Sequence, residues 1–220
     1  MKILKLLSTI LAVITLAPAM VFAVDGVILI DQNKALAGNV TPGDGAGYPV
    51  ILSLPGSYRL SGNLTVPISA TGIQIAADGV SLDLNGFSIT GPGIFPGGGN
   101  AINGDNRKRI RVSNGSISGF TFAMDFLGTA ELITLEELVI DATTISPTAG
   151  PVSGLAMRIG RDNAAAALIR NITVKGQIQV TCPSVVVNVI TGSSGVVEIH
   201  VPFDGSASSF PTKCKGENVF

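Results

Sequence analysis

The chain has few of the residues that metal sites, thiol enzymes and nucleic-acid-binding surfaces are made of. Among its 220 residues there are one histidine, two cysteines and no tryptophan, and only 13% of the residues are charged. No sequence neighbourhood combines histidine and cysteine as a zinc site or a covalent catalyst requires. The 14 basic and 15 acidic residues give a net charge of −1, so nothing indicates a nucleic-acid partner.

The chain also has only one apolar run of note, and it lies at the start. Lys2 and Lys5 precede an apolar stretch over residues 6–17, and Pro18 and a small residue, Ala23, follow. This order is typical of a secretory signal peptide over residues 1–23, with an uncleaved anchor as the alternative. No later stretch reaches the roughly 18 apolar residues of a membrane span. We therefore expect residues 24–220 to be secreted, periplasmic or on the cell surface.

Short alternating segments are what the sequence has in abundance. Residues 79–91 (GVSLDLNGFSITG) alternate apolar and polar side chains, break at Asn85, and resume. The pattern predicts two short strands joined by a tight bend. Looser copies occur before and after it, which indicates an all-β solenoid whose strands pair from one coil to the next.

Asparagine marks the predicted bends, because it adopts left-handed backbone angles at low cost and its amide can hydrogen-bond to the asparagine one coil away, as in an asparagine ladder. Glu137 takes the comparable place in residues 133–140. Spacings are uneven, as expected if other corners carry insertions. The alternative is that these residues mark unrelated hairpins of an antiparallel sandwich, although strands of three to five residues are short for one. The predicted bends are Asn63, Asn85, Asn114, Asn171 and Asn188.

The rest of the chain reads as one domain with two protected ends. An apolar run opens the mature protein, and Asp31 and Gly38 bracket a short helix-like segment, so residues 24–48 are predicted to cap the first coil. Residues 204–220 form a Ser- and Gly-rich tail. Residues 129–140 and the alanine run after Asp162 could be helical, but we interpret both as strands. Residues 91–106 are predicted to project as a long loop.

The two cysteines lie in the C-terminal part of the chain. In an exported protein, Cys182 and Cys214 can form a disulfide that fastens the last coil to the tail. Two unpaired thiols are the alternative.

Three segments resemble the opening coils of a known family. Residues 55–66 (PGSYRLSGNLTV), residues 79–89 and residues 111–117 (RVSNGSI) are similar to secreted bacterial right-handed parallel β-helix proteins of the pectin-lyase-like superfamily. The resemblance covers about residues 24–120 well and implies a right-handed parallel β-helix of about six short coils. It implies no single activity, because the superfamily contains lyases, hydrolases, epimerases, tailspikes and adhesins.

Candidate catalytic carboxylates are scattered. A glycoside hydrolase needs an acid and a base flanking one bond. Glu136 and Glu137 are adjacent, but neighbouring residues of a strand point to opposite faces. Glu198 and His200 share a face, yet with no second histidine they form an incomplete metal site or acid–base pair. Other single acids are Asp83, Asp105, Asp125 and Asp141.

A lyase of the resembling superfamily would pair an arginine or lysine base with carboxylates that hold calcium. Arg107, Lys108, Arg109 and Arg111 supply cations, but Asp105 is the only acid near them in sequence, which is too few for an ordinary calcium site. The guanidinium groups could instead form bidentate hydrogen bonds with the carboxylates of an acidic polysaccharide. A solvated turn is the simpler interpretation.

We therefore expect an exported non-catalytic β-helix that acts as a surface or extracellular binding or structural module, with acidic polysaccharide or cell-surface glycan as its partner. The alternative is a polysaccharide lyase or another carbohydrate-active enzyme. No cofactor is expected, apart from calcium under the lyase alternative. The sequence predicts neither the ligand nor the oligomeric state.

Overall fold

The structure is a computed structural model that describes residues 26–94, 99–160, 166–181, 184–191 and 197–200. Side chains are not described at 151–153, 181–188 and 191–200. These parts form an all-β protein with two large sheets, a small antiparallel pair and one short helix, α1 (Gln32–Ala37).

The first large sheet, sheet A, takes its strands in chain order. Two short strands, β4 (Leu64–Thr65) and β7 (Ser88–Thr90), continue its second and third strands beyond a corner. The main path of sheet A is β1 (Val27–Ile30), β3 (Gly56–Leu60), β6 (Val80–Asp83), β9 (Lys108–Ser118), β11 (Glu131–Asp141), β15 (Ala167–Lys175) and β17 (Ser184–Thr191).

The second large sheet, sheet B, takes the strands that lie between those of sheet A in the sequence. An antiparallel hairpin, β12 (Thr143–Ser146) and β13 (Gly150–Ser153), connects a strand of sheet A, β11, to a strand of sheet B, β14. The strands of sheet B are β2 (Val50–Leu52), β5 (Ile73–Ile75), β8 (Asn100–Asn103), β10 (Phe122–Phe126), β14 (Leu155–Ile159), β16 (Gln177–Thr181) and β18 (Val197–His200).

The chain thus visits sheet A and then sheet B in every turn, and each strand pairs with the strand one turn later. The pairings within both sheets are parallel, from β1 with β3 to β16 with β18. Parallel neighbours need a long crossover, and the strand of the other sheet supplies it here. The topology is compatible with a parallel β-helix, and it contradicts the antiparallel sandwich.

The core consists of inward-pointing aliphatic side chains stacked in columns. One column passes through five successive turns, and each of its members is at most 1% exposed. Alternation along each strand sends every second side chain inward, and in-register pairing places these side chains over one another. The column is Leu64, Ile89, Ile117, Ile140 and Val174.

The asparagine corner divides each long strand of sheet A. Asn85, Asn114 and Asn171 have φ of 52°, 59° and 53°, and Glu137 has φ of 55°. The register places Glu137 opposite both Asn114 and Asn171, because Glu136 and Leu138 pair with the residues on either side of them. Left-handed backbone at the same point of successive turns is what turns the chain from one half of the sheet to the other.

The other two predicted bends differ. Asn188 lies opposite Asn171 by the register of β15 and β17, and its side chain is outside the described residues. Asn63 is not among the residues with positive φ, and its Oδ1 accepts a hydrogen bond from the Ser88 backbone N–H at 3.0 Å.

The side-chain amides of Asn85 and Asn114 bond to groups other than the neighbouring corner asparagine. The Asn85 Nδ2 donates to the Leu60 carbonyl at 3.2 Å, and the Asn114 Nδ2 donates to Asp83 Oδ1 at 3.3 Å. The turn between Leu84 and Phe87 displaces Asn85 along the chain relative to Asn114, so nearer acceptors take these amides.

A second row of left-handed residues was not predicted. Gly79, Arg109 and Leu132 have φ of 69°, 57° and 57°. Leu132 lies opposite Arg109, because their neighbours on both sides are paired. The row marks the corner at which the chain enters sheet A, and two of its three members are residue types that avoid this conformation.

The N-terminal segment has the helix that Asp31 and Gly38 predicted. Asp31 is the N-cap and its carboxylate accepts a hydrogen bond from the Lys34 N–H at 2.8 Å, while Gly38 ends the helix with φ of 73°. Ala35 is fully buried against the first coil. Two turns of helix therefore cover part of the core at this end.

The remaining predictions have mixed outcomes. Residues 131–141 are strand β11, as expected. Ala167, the last residue of the alanine run, begins strand β15, and residues 161–165 lie outside the described residues. The loop predicted over residues 91–106 is wrong in its extent, because Asn100–Asn103 pairs with β5 and β10 as strand β8. Cys182, Cys214 and the tail lie outside the described residues.

Replacing Glu137 by asparagine should stabilise the protein by about 1 kcal/mol, because asparagine tolerates left-handed angles that cost other residues 1–2 kcal/mol. Urea unfolding of E137N measures the difference. The control is V139N, two residues along the same strand, where the backbone is not left-handed and no gain is expected. An equal gain in both variants would refute the role of the corner.

Replacing Gly115 by alanine should destabilise the protein by about 1–3 kcal/mol. A Cβ atom there would lie 2.4 Å from Leu84 Cβ and 2.7 Å from the Phe87 carbonyl oxygen, so neighbouring coils must separate. Thermal unfolding tests this. Gly45→Ala is the matched control, because no atom lies within 4 Å of its Cβ position. Similar melting temperatures for G115A and wild type would contradict the packing described here.

Candidate functional site

The outward face of sheet A carries a row of charged and hydroxyl side chains across five strands. Register pairs Arg59 with Asp83, Asp83 with Ser113, Ser113 with Glu136, and Glu136 with Arg170. These residues form one column, which we call the charged column. Arg111 lies two residues before Ser113, in the adjacent outward column.

Glu136 is the centre of this face. Arg111 Nε donates to its Oε1 at 2.5 Å and Arg170 Nε donates to its Oε2 at 2.6 Å, and Nη2 of each arginine pairs with the same oxygen. Only 3% of the Glu136 side chain is exposed, whereas 54% of Arg111 and 51% of Arg170 are exposed. The two guanidinium groups therefore cover one carboxylate and keep their outer edges in solvent.

Two opposing effects act on the Glu136 carboxyl. Burial raises its pKa, but the hydrogen bonds and charges of Arg170 and Arg111 outweigh burial, so the net pKa is lowered from its ordinary value. Glu136 is thus ionised at neutral pH, and it keeps both arginines in place.

Arg59 is held in the same manner at the other end of the charged column. Its Nε donates to Asp83 Oδ2 at 2.9 Å, and 47% of its side chain is exposed. Asp83 is itself fixed, since its Oδ1 accepts from the Asn85 backbone N–H at 2.7 Å and from Asn114 Nδ2.

The cations predicted as one cluster are separated by the structure. Arg111 reaches the face of sheet A, whereas Arg109 lies at the left-handed corner and is exposed. Lys108 pairs with Glu131 at 3.0 Å, and Arg107 has a buried Nε without a hydrogen-bond partner. Arg111 is the only member of that run that joins the group around Glu136.

Asp105 is likewise occupied elsewhere. Its Oδ1 accepts from the Leu127 backbone N–H at 2.7 Å, and its Oδ2 accepts from Asn103 Nδ2 at 3.1 Å. Both carboxylate oxygens therefore join structural hydrogen bonds beside sheet B.

A second polar group lies on sheet B. In register across successive strands are Gln74, Asn103, Asp125 and Arg158. Gln74 Nε2 donates to Asn103 Oδ1 at 2.9 Å, and the Arg158 guanidinium pairs with Asp125 Oδ2 while lying 4.5 Å from the centre of the Phe122 ring. These side chains bond mainly to one another, which makes the group a structural network.

Asp125 differs from Glu136 in the sign of its pKa shift. Burial raises the pKa of Asp125, the hydrogen bond and charge of Arg158 lower it, and nearby Asp105 raises it again; the net pKa is raised. Its Oδ1 has no hydrogen-bond partner. One arginine does not offset the burial of this carboxylate, whereas two arginines do so for Glu136.

The acids of the described residues do not assemble into a metal site. No group of three or more histidine, cysteine, aspartate or glutamate side chains lies close enough to hold an ion in the described part of the chain. Glu137 stands exposed at the corner, apart from the arginines that enclose Glu136. The side chains of Glu198 and His200 lie outside the described residues.

Comparisons with known proteins identify no relative. No family model matches the chain, and neither the curated proteins nor the solved structures include a significant match. Among the described residues, no helix is long and apolar enough to cross a membrane.

Replacing Glu136 by glutamine should lower the free energy of unfolding at neutral pH by about 2 kcal/mol. This is less than the loss of a fully buried ion pair, because both arginines are half exposed. The ionised carboxylate stabilises the fold fully above its unfolded-state pKa, and this contribution disappears as the pH falls through the lowered folded-state pKa.

Urea unfolding of wild type and E136Q at neutral and acidic pH measures this contribution. The control is E131Q, which breaks only the exposed pair with Lys108 and should lose at most about 1 kcal/mol. A difference between wild type and E136Q that persists unchanged in acid would show that the ionised carboxylate is not the cause.

Proposed function

We propose that this chain is an exported, non-catalytic right-handed parallel β-helix, related in fold to the pectin-lyase-like superfamily, that binds an acidic polysaccharide outside the cell. The parallel two-sheet topology supports the fold, and the signal-like residues 1–23 support export. One observation carries the binding function: Arg111 and Arg170 hold Glu136 between them and remain half exposed.

The contacts leave a binding edge on each guanidinium. Arg111 and Arg170 use Nε and Nη2 for Glu136, so Nη1 has no acceptor among the described residues. An arginine has five N–H donors in a planar fork, and a carboxylate of a uronic acid fits the outward edge. Two positive guanidinium groups around one negative carboxylate leave a net positive charge to attract it.

The same contacts count against the lyase alternative. A lyase needs a base that accepts a proton from its substrate, and a guanidinium group has only donors and no acceptor. Arg111 has one carboxylate partner, Glu136, and both oxygens of that carboxylate are taken by arginines. Calcium, which the alternative would require, has no group of acids to bind in the described residues.

Calorimetric titration with polygalacturonate tests the proposal, with neutral dextran as the control polymer. We expect wild type to bind polygalacturonate alone, with an affinity that falls as salt is added. R111Q should bind about tenfold more weakly, which corresponds to the loss of roughly 1.4 kcal/mol. R111K should also bind weakly, because lysine keeps the charge but loses the fork.

Lys175→Gln is the matched control, since it removes one positive charge from the other side of the asparagine corner, where Lys175 pairs with Asp141. It should bind like wild type, and circular dichroism should show that all variants are folded. If K175Q and R111Q weakened the binding of polygalacturonate equally, the loss of one positive charge, and not the position of Arg111, would explain the effect. Release of unsaturated product from polygalacturonate by wild type with calcium would favour the lyase, and no binding to the acidic polymer would refute the proposal.

A further inference from the structure

The two sheets end differently at the N-terminal end of the stack. The edge strand of sheet B is β2, and two side chains from the loop after α1 bond to its backbone groups. Asp44 Oδ1 accepts from the Ile51 N–H at 2.7 Å, and Thr41 Oγ1 donates to the Ile51 carbonyl at 2.5 Å. Thr41 Oγ1 also accepts from the Ser53 N–H at 3.0 Å. These side chains take the place that a further strand would have on this edge.

The edge of sheet A at the same end has no such cover. Its edge strand, β1, pairs with β3 on one side, and no other strand of the described residues pairs with it. The Ile30 carbonyl accepts from the Ser61 N–H at 2.8 Å, on the β3 side. Because the backbone groups of successive residues point to opposite edges of a strand, the N–H and C=O of Val27 and Leu29 point to the open edge.

The side chains at this edge are apolar and exposed. Val27 is 39% exposed and Leu29 is 55% exposed, and Leu36 on the following helix is 53% exposed. Proteins commonly protect a free edge with lysine, proline or a bulge, and Val27–Ile30 has none of these. A free apolar edge of this kind is a site for pairing with another strand.

The exported chain does not offer a neighbouring strand of its own at this edge. Removal of residues 1–23 would leave three residues before Val27, whereas a hairpin partner of β1 needs a strand of similar length and a turn of about two residues. The C-terminal tail, residues 204–220, follows β18, which is the last strand of sheet B at the other end of the stack. A strand from a second molecule is therefore the occupant that the chain favours.

A second copy of β1 satisfies the backbone groups and the side chains together. A two-fold axis perpendicular to the sheet makes the two strands antiparallel, and centring the pair on Ile28 places Val27 of each copy opposite Leu29 of the other. Their edge-facing N–H and C=O groups then form hydrogen-bonded pairs. β1 has no charge that would repel its own copy, and Arg59, which lies beside Leu29, already pairs with Asp83.

We infer that the open edge of β1 is a dimerisation surface, at which sheet A of one copy continues into sheet A of a second copy. The two-fold symmetry closes the assembly at two chains. A four-residue edge buries less area than the roughly 1,200–2,000 Å² of a standard stable interface, so we expect monomer and dimer to be in equilibrium at roughly micromolar concentrations. The inference is independent of polysaccharide binding, but it rests on the proposed export, in which residues 1–23 are removed.

Sedimentation velocity of the exported protein over a range of concentrations tests the dimer. The mean mass of wild type should rise with concentration from that of one chain to that of two. Val27→Pro removes an N–H that points to the open edge and spares the pairing with β3, so its dimerisation should weaken by about tenfold or more. Leu29→Lys should have a similar effect, because it places a charge within the apolar contact.

Ile190→Lys is the matched control, because Ile190 is 62% exposed on β17, at the other end of sheet A. I190K should dimerise like wild type, and circular dichroism should show that all variants are folded. Equal loss of dimer in I190K and L29K would assign the association to exposed apolar surface in general and would overturn the role of β1.

Wild type that remains a monomer at every concentration, or that forms species larger than two chains, would also overturn the inference. Mass spectrometry of the same sample shows whether residues 1–23 have been removed. A processed chain that does not dimerise contradicts the dimer alone, whereas retention of residues 1–23 contradicts the proposed export and the argument from the chain before β1.

Discussion

In-register pairing of parallel strands from one turn to the next is the constraint on which the structure depends. Because β9, β11 and β15 pair without a shift in register, each residue lies over its counterpart in the next turn. Residues at equivalent positions therefore form columns that share burial or backbone conformation. Aliphatic columns make the core, left-handed columns make the corners, and one outward column brings Glu136 between arginines that are far away in sequence. The site is therefore a consequence of the register.

Much of the fold could be predicted, because the corner residue carries its conformational preference in its own side chain. Asparagine accepts left-handed angles, so Asn85, Asn114 and Asn171 predict the bends at their positions. Glu137 could be assigned to the same corner because it has the comparable place in its segment. The second left-handed row could not be predicted. Leucine and arginine have no such preference, and the residues before and after Leu132 and Arg109 are paired between β11 and β9, which only the fold reveals.

The site was harder to predict, because a run of charges in sequence is not a cluster on a strand. Side chains alternate between the two faces of a strand, and the chain turns a corner at Arg109, so residues 107–111 point in different directions. Of this run, only Arg111 contacts Glu136. A usable signal was nevertheless present. Ser113, Glu136 and Arg170 each stand one residue before a corner residue, so aligning the corners would have placed all three in one column. Unequal loops between the turns conceal this alignment from a search for a fixed period.

Two of the buried carboxylates, Asp125 and Glu136, form ion pairs with arginine that differ in their effect on the pKa. Asp125 has one arginine and a raised pKa, so burial dominates and its network is structural. Glu136 has two arginines and a lowered pKa, because their combined field exceeds the effect of burial. Those two arginines come from strands on either side of Glu136, so the contacts that hold three turns together also orient two guanidinium groups towards solvent. The binding surface that we propose is thereby preorganised by the interactions that stabilise the stack, and a ligand would not need to order it.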